Sequence, residues 1–325
     1  MENLIAIDRV KHKTRLHVDW YIGKRCNYDC SYCTPDIHDS TSNHFTLDQL
    51  KYAADKFASK IKGSDISIGF TGGEPTVNPN FKDFCQYLYE NGVTNIFVTT
   101  NGSRTAEYYK ELCQYVSALV ISQHFEFSKV EDFLPKVKEL SIFDIKVQLM
   151  FNANYFEQVK QSVSFYKKNN VTFTLRRIRQ KGKTTAHNYT DEQLNWYFEN
   201  FPEDDILSPN TVVHYKEHYH KIKENNDIKT KKVHVNELTG AELTDFNGWH
   251  CWIGLRNLHI WLDGSIYRGN CHEGGIIGNL YAKDFELPTE PIVCGLNRRC
   301  FCAPEIKVKK VKELQYEYLL DEANV

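Results

Sequence analysis

Cysteine carries the chemistry that is most legible in this chain. Eight of its ten cysteines form two groups, Cys26, Cys30 and Cys33 near the start and Cys251, Cys271, Cys294, Cys300 and Cys302 near the end; Cys85 and Cys113 stand apart. In a reducing compartment such groups read as metal ligands rather than disulfides. Cys26-x3-Cys30-x2-Cys33 offers three thiolates from one short loop, enough for three irons of a cubane, with the fourth iron left open. An open coordination position separates a catalytic metal site from a closed structural one. Zinc is the alternative, with His38 or His44 as the fourth ligand.

A loop of this kind needs a scaffold, and the first half of the chain supplies a rhythm for one. Residues 15–22 (RLHVDWYI) alternate apolar and polar, as a strand does. Thr46-Leu47-Asp48-Gln49 is a capping box that opens a helix. Strand patterns then recur at 65–70, 95–100, 117–123, 144–150 and 171–178, with helical patterns near 79–91, 104–115, 129–139 and 155–168. Six strand–helix alternations predict parallel strands joined by helical crossovers. Six are too few for a closed eight-stranded barrel, so the expected fold is α/β, a partial (β/α)6 barrel. The first cysteine group follows the first strand, at the sheet edge where parallel α/β folds build their sites.

The pattern Cys-x3-Cys-x-aromatic-Cys, with Tyr32 as the aromatic, resembles the signature of the radical S-adenosylmethionine (SAM) superfamily. Gly72-Gly73-Glu74-Pro75 closes the second strand and looks like that family's GGEP motif. Its glycines let backbone approach a ligand closely, and Glu74 is an acceptor for an ammonium group. The resemblance implies that Cys26, Cys30 and Cys33 hold a 4Fe–4S cluster. Gly72, Gly73, Glu74 and Pro75 would then bind the methionine end of SAM. It further implies polar SAM contacts at later strand ends. The candidates are Thr100 and Asn101, Ser122 and Gln123, and one of Arg176, Arg177 and Arg179. Asn101-Gly102 reads equally as an ordinary turn. His124 and Glu126 would face substrate at the mouth of the barrel.

Residues 181–247 break the rhythm and read as a polar helical connector, with a second capping box at Thr190–Gln193. Beyond it, Asp263-Gly264 sits between two alternating segments, a hairpin signal bracketed by Cys251 and Cys271. This stretch resembles the start of a SPASM or twitch domain, C-terminal extensions of radical SAM enzymes that carry auxiliary Fe–S clusters. Five cysteines fit the shorter twitch form with one probable further 4Fe–4S cluster, and either Cys300 or Cys302 is then a bystander. A zinc ribbon is the alternative. Trp249, Trp252 and Trp261 are expected to shield the cluster, and Cys85 and Cys113 to be core residues. The expected partition is 1–180 for the barrel, 181–247 for the connector and 248–325 for the auxiliary domain.

Lys plus Arg number 40 against 42 Asp plus Glu, so no global field draws the chain to nucleic acid. Arg176, Arg177, Arg179, Lys181 and Lys183, and the run from Lys216 to Lys232, read as solvated faces. The opening MENLIAIDRVKHK lacks the apolar core of a secretory signal, and no apolar stretch spans a bilayer; a cytoplasmic location is expected. The resemblance implies an enzyme that cleaves SAM reductively and takes a substrate hydrogen atom. Electrons would come from an external one-electron donor such as flavodoxin or ferredoxin. The substrate would be a small molecule or a peptide. Oxidation through the auxiliary cluster and maturation of a ribosomal peptide both remain open. The short lead of about 14 residues before the first expected strand weighs against a peptide-recognition domain on this chain. A non-enzymatic Fe–S or zinc carrier is the reading from another class, and it would have no use for the open iron or the GGEP segment.

Overall fold

The computed structural model describes residues 4–9, 16–178, 188–201, 218–224, 227–233, 238, 243–281, 284–300 and 303–317. Arg179, Lys181, Lys183, Lys216 and Cys302 lie outside these described residues. β1 (Leu4–Arg9) precedes β2 (Leu16–Tyr21), in which Leu16, Val18 and Trp20 are buried and the side chains between them half-buried. Strand and helix then alternate through α1 (Leu47–Lys60), β3 (Ile66–Thr71), α2 (Phe81–Glu90) and β4 (Asn95–Thr100). The series continues with α3 (Ala106–Leu112), β5 (Ala118–Gln123), α4 (Val130–Glu139) and β6 (Ile145–Phe151). It ends with α5 (Phe156–Lys168), β7 (Phe173–Arg177) and α6 (Asp191–Asn200). β2 to β7 are neighbours in chain order, and β4, β5, β6 and β7 pair parallel. This is the α/β alternation of six strands and six helices expected from the sequence.

Both capping boxes form. Gln49 N–H donates to Thr46 Oγ1 at 3.2 Å, and Thr46 N–H to Gln49 Oε1 at 2.9 Å. The Thr190 and Gln193 pair does the same at the start of α6.

The contacts gather the chain into two compact units, one of Met1–Asp19, Asp55–Ser67 and His214–Val325, the other of Trp20–Ala54 and Ile68–Val213. In the second, Trp20, Phe70 and Phe84 pack with ring centroids 5.6–5.8 Å apart. α6 lays Tyr197 on Phe151 of β6 as a stacked pair at 5.6 Å.

The first unit is built from β8 (His218–Glu224), β9 (Asp227–Val233), β10 (His250–Cys251), β11 (Asn257–Ile260), β12 (Ser265–Tyr267) and β13 (Ile276–Asn279). β14 (Ile292–Val293), α7 (Ala303–Ile306) and β15 (Lys310–Val311) complete it. Six strands order as β14-β10-β15-β1-β8-β9, with antiparallel pairing throughout. Two expectations are corrected here. A strand lies before residue 15, and the described residues of the connector include, besides α6, the hairpin of β8 and β9. HYHKIKE and DIKTKKV carry too few apolar residues for a local strand signal. β8 pairs with β1 and β9 with β8, and the link to β1 is a tertiary effect. The hairpin at Asp263-Gly264 is present between β11 and β12. Gly264 has φ +82°, and a Cβ there would meet the Tyr281 ring at 2.3 Å, so only glycine fits. Among the described residues no helix is long and apolar enough to cross a membrane.

Candidate functional site

The loop after β2 holds the first three cysteines, and its backbone is tied down at both ends. Cys26 N–H donates to the Asp39 carbonyl at 2.7 Å and Asp39 N–H to the Lys24 carbonyl at 3.0 Å. Gly73 N–H donates to the Gly23 carbonyl and Glu74 N–H to the Arg25 carbonyl, each at 2.9 Å. The glycines are explained by this zipper. A Cβ on Gly73 would meet the Lys24 and Arg25 carbonyl oxygens at 2.3 and 2.4 Å, and one on Gly72, at φ +129°, the Gly23 oxygen at 2.5 Å. The close approach they permit is to the segment leading into Cys26, inside the chain itself.

Glu74 is 3 % exposed, and donors surround its carboxylate. Oε1 accepts from Thr76 N–H at 3.0 Å, Thr76 Oγ1 at 2.6 Å and Thr100 Oγ1 at 2.7 Å. Oε2 accepts from Asn101 N–H at 2.6 Å. Burial pushes its pKa up, and these hydrogen bonds oppose the shift. Glu74 therefore fastens the end of β3 to the end of β4. Asn101, thus placed, donates from Nδ2 to Asn27 Oδ1 at 2.9 Å and lies 4.0 Å from Cys26 Sγ. Its Oδ1 accepts Ser103 N–H at 3.0 Å, so the turn and a place at the cysteine loop coexist.

The thiols are near enough to raise one another's pKa, but burial is the larger cause. It pushes Cys26 up to about 11 and Cys30 up to about 12. Metal loading would displace those protons. Tyr28 N–H points at Cys26 Sγ over 3.4 Å, a donor suited to a metal-bound thiolate. His38 is committed elsewhere, with Nδ1 at 2.8 Å from the Thr34 carbonyl and Nε2 at 3.1 Å from Asp29 Oδ1. That takes both ring nitrogens away from the zinc alternative.

His124 and Glu126, expected to face substrate, both grip this loop. Tyr32 Oη is hydrogen-bonded to His124 Nδ1 at 2.6 Å with the rings stacked, and Cys30 Sγ is 3.4 Å from the same nitrogen. Burial holds His124 at a pKa of about 4, so the imidazole is neutral. Glu126 accepts Ser31 N–H at 2.8 Å, Ser31 Oγ at 2.7 Å and Asn152 Nδ2 at 2.9 Å. Thr76, Asn27 and Asn152 belong to the site and were missed; no spacing marks them. Ser122 and Gln123 are buried at the end of β5. Arg176 is exposed on β7, and Arg177 lies over the Tyr197 and Phe198 rings at 5.5 and 5.7 Å.

The late cysteines meet in the first unit. Cys251, Cys271, Cys294 and Cys300 line one cavity together with Phe246, Ile253, Leu296, Arg298, Glu305 and Lys310. Burial pushes Cys271 up to about 12 and Cys300 up to about 11, with Lys310 opposing the shift at Cys300. Trp249 packs with Cys294 and Cys300, and Trp252 with Cys251 and Cys271. Trp261 stands instead beside His259 and His272. Glu305 is 1 % exposed; its Oε1 accepts Asn270 N–H at 2.8 Å and the Asn257 and Asn270 amides at 3.2 Å each. Among the described residues no three His, Cys, Asp or Glu side chains converge on a single-ion position. A cubane spreads its ligands over separate irons.

Residues 20–176 match the model of the radical SAM superfamily. The match is to a radical SAM domain, and it spans the strands that carry Cys26, Cys30, Cys33 and the GGEP segment. The chain is 36 % identical over 86 residues to the S-adenosylmethionine-dependent nucleotide dehydratase of Selenomonas ruminantium, covering 26 % of this chain and 30 % of that protein. It is 34 % identical over 90 residues to the GTP 3',8-cyclase of Haemophilus influenzae (strain PittGG), covering 26 % of each. The matches thus span under a third of these relatives. Two solved structures share the fold. Native anSMEcpe with bound AdoMet aligns at TM-score 0.51 and 14 % identity over 83 % of this chain and 79 % of that one. Streptococcus suis SuiB bound to precursor peptide SuiA aligns at 0.51 and 14 %, over 84 % and 64 %. A radical SAM domain implies a 4Fe–4S cluster and SAM as cofactors.

Proposed function

We propose that the chain is an enzyme that cleaves SAM reductively at a cluster held by Cys26, Cys30 and Cys33. We further propose that it oxidises its substrate through a second 4Fe–4S cluster in the cavity of the late cysteines. When bound, cluster and SAM supply one-electron cleavage to methionine and a 5'-deoxyadenosyl radical that takes a hydrogen atom from substrate. The observation that carries the reading is the tether of the three-cysteine loop. Gly23 and Arg25 are zipped to the GGEP segment, and Tyr32 and Ser31 are held by His124 and Glu126. Three thiols on one tethered loop would ligate three irons of a cubane, leaving the fourth for SAM. Tyr28 N–H and Asn101 Nδ2 face Cys26 Sγ, where a metal-bound thiolate gains from donors.

Around that loop the protein positions and excludes water. Glu74 holds Asn101; the carbonyl edge of Gly72 and Gly73 and the side chains of Asn101 and Ser122 are the groups offered to SAM. Arg176 is the candidate for its carboxylate. The late cavity, lined by four thiols with Trp249 and Trp252 in the apolar clusters beside it, fits a fully ligated cluster, for which electron transfer is the accessible role. This is the twitch-type reading of 248–325. The test uses substrate deuterated at the reacting carbon: deuterium should appear in 5'-deoxyadenosine from wild type and from a Cys251→Ala, Cys271→Ala double variant. Oxidised product should come from wild type alone. Full product from the double variant would make the second site structural.

A second reading, maturation of a ribosomal peptide, is favoured by one observation. β9 ends the order of its six-stranded sheet, and a terminal strand offers backbone groups to an extended peptide. SuiB, similar in fold, is described with a precursor peptide bound. A candidate peptide cross-linked only by the intact protein, SAM and reductant would establish it.

A further inference from the structure

Lys310 is 2 % exposed and lines the cavity of the late cysteines. Its place is fixed on both sides, since β15 pairs with β1 and β10, which sets Lys310 opposite Ile7 and opposite Cys251. The ammonium donates to the Glu305 carbonyl, to Val308 O at 3.1 Å and to Ile306 O at 3.4 Å. The Phe246 ring lies 4.9 Å beneath it. Among the described residues every hydrogen-bond partner of Lys310 is a backbone carbonyl, so none of them neutralises it. Glu305 and Arg298 line the same cavity; Glu305 turns Oε1 to the Asn257 and Asn270 amides, and neither of its oxygens is hydrogen-bonded to the Lys310 ammonium among the described residues.

A buried ammonium without a counter-anion is costly, and native proteins pair such charges. The natural partner is what the four thiols hold. A cubane with four thiolates is a net anion, and net charge around a cluster is one of the levers on its potential. Lys310 spends all three donors on carbonyls, which rules it out as a donor to substrate and leaves it as a stationary charge.

Resting on the second-cluster reading above, we propose that Lys310 is the fixed counter-charge of the late-cysteine cavity. It stabilises the anionic cluster and raises its reduction potential, making that cluster a better acceptor for the substrate's electron.

The test uses the full chain with Cys26, Cys30 and Cys33 changed to Ala, so that only the late site can carry a cluster. Iron content and the midpoint from an EPR-monitored redox titration are read after anaerobic reconstitution. The background should hold about four irons. Lys310→Gln, which keeps donors for the carbonyls but removes the charge, should shift the midpoint to more negative potential, and Lys310→Met should shift it likewise. Lys310→Arg should stay near the background. A folded Lys310→Gln that fails to load iron while Lys310→Arg loads normally supports the same conclusion. An unchanged midpoint in a fully loaded Lys310→Gln overturns it, as does equal loss of iron in the Gln, Met and Arg variants, which would make shape the requirement. A background that binds no iron, or zinc alone, overturns the second-cluster reading itself, and the counter-charge role with it.

Discussion

The two cysteine sites solve the same problem, gathering thiols, in opposite ways. Cys26, Cys30 and Cys33 lie within eight residues, so chain connectivity brings them together and the surroundings have only to hold the loop. They do so with side chains from three strand ends: Glu74 after β3, Asn101 after β4, His124 and Glu126 after β5. The late site takes cysteines spread from Cys251 to Cys300 and gathers them by sheet pairing, with Cys251 on β10 and Cys294 just beyond β14. Three thiols on a tethered loop suit chemistry that needs an open position. Four in one cavity with a buried ammonium suit storage of charge.

The largest effect expected from breaking this contrast is on the loop. A Cys26/Cys30/Cys33→Ala variant should fall from about eight irons per chain to about four and lose all SAM cleavage. Cys251→Ala with Cys271→Ala should do the converse, keeping cleavage while losing product. Equal losses from both would mean that the sites do not divide the work.

The tethers come next. Gly73→Ala drives a Cβ to within 2.3 Å of the Lys24 oxygen and should cost about 3 kcal/mol or more, seen as a fall in melting temperature of the metal-free protein. Glu74→Gln puts an amide where Oε2 accepts Asn101 N–H and should cost about 1–3 kcal/mol with weakened SAM binding. Unchanged stability and SAM affinity would remove Glu74 from the tether.

Much of the first site was legible because its signals are local. The cysteine spacing, the GGEP segment and both capping boxes lie within stretches of eight residues or fewer. The sequence also exposed the six strand–helix alternations, since each strand buries apolar side chains. What it hid was tertiary. Glycine at 72 and 73 read as room for a ligand; that Gly23, Lys24 and Arg25 also approach them closely was not visible. His124 and Glu126 read as substrate-facing because nothing in their neighbourhood names Tyr32 and Ser31 as partners. β8 pairs with β1, far away in sequence, and the buried state of Lys310 depends on the same sheet.

The smallest effect concerns acid. Burial holds His259 at a pKa of about 4, against about 6.5 in an unfolded chain. The unfolded state therefore binds more protons between those values. Its contribution to stability is intact above pH 6.5 and is lost as pH falls toward 4, by up to about 3 kcal/mol. His259→Phe should flatten the fall in metal-free melting temperature between pH 7 and 5. The same slope in both proteins would contradict it.

The central claim is that Cys26, Cys30 and Cys33 hold the cluster that cleaves SAM. The direct measurement is anaerobic incubation of reconstituted, dithionite-reduced protein with SAM, followed by quantification of 5'-deoxyadenosine and methionine. Wild type should release the two in equal amounts, and a Cys30→Ala variant neither. Equal release from the variant, or none from iron-loaded wild type, would contradict the account.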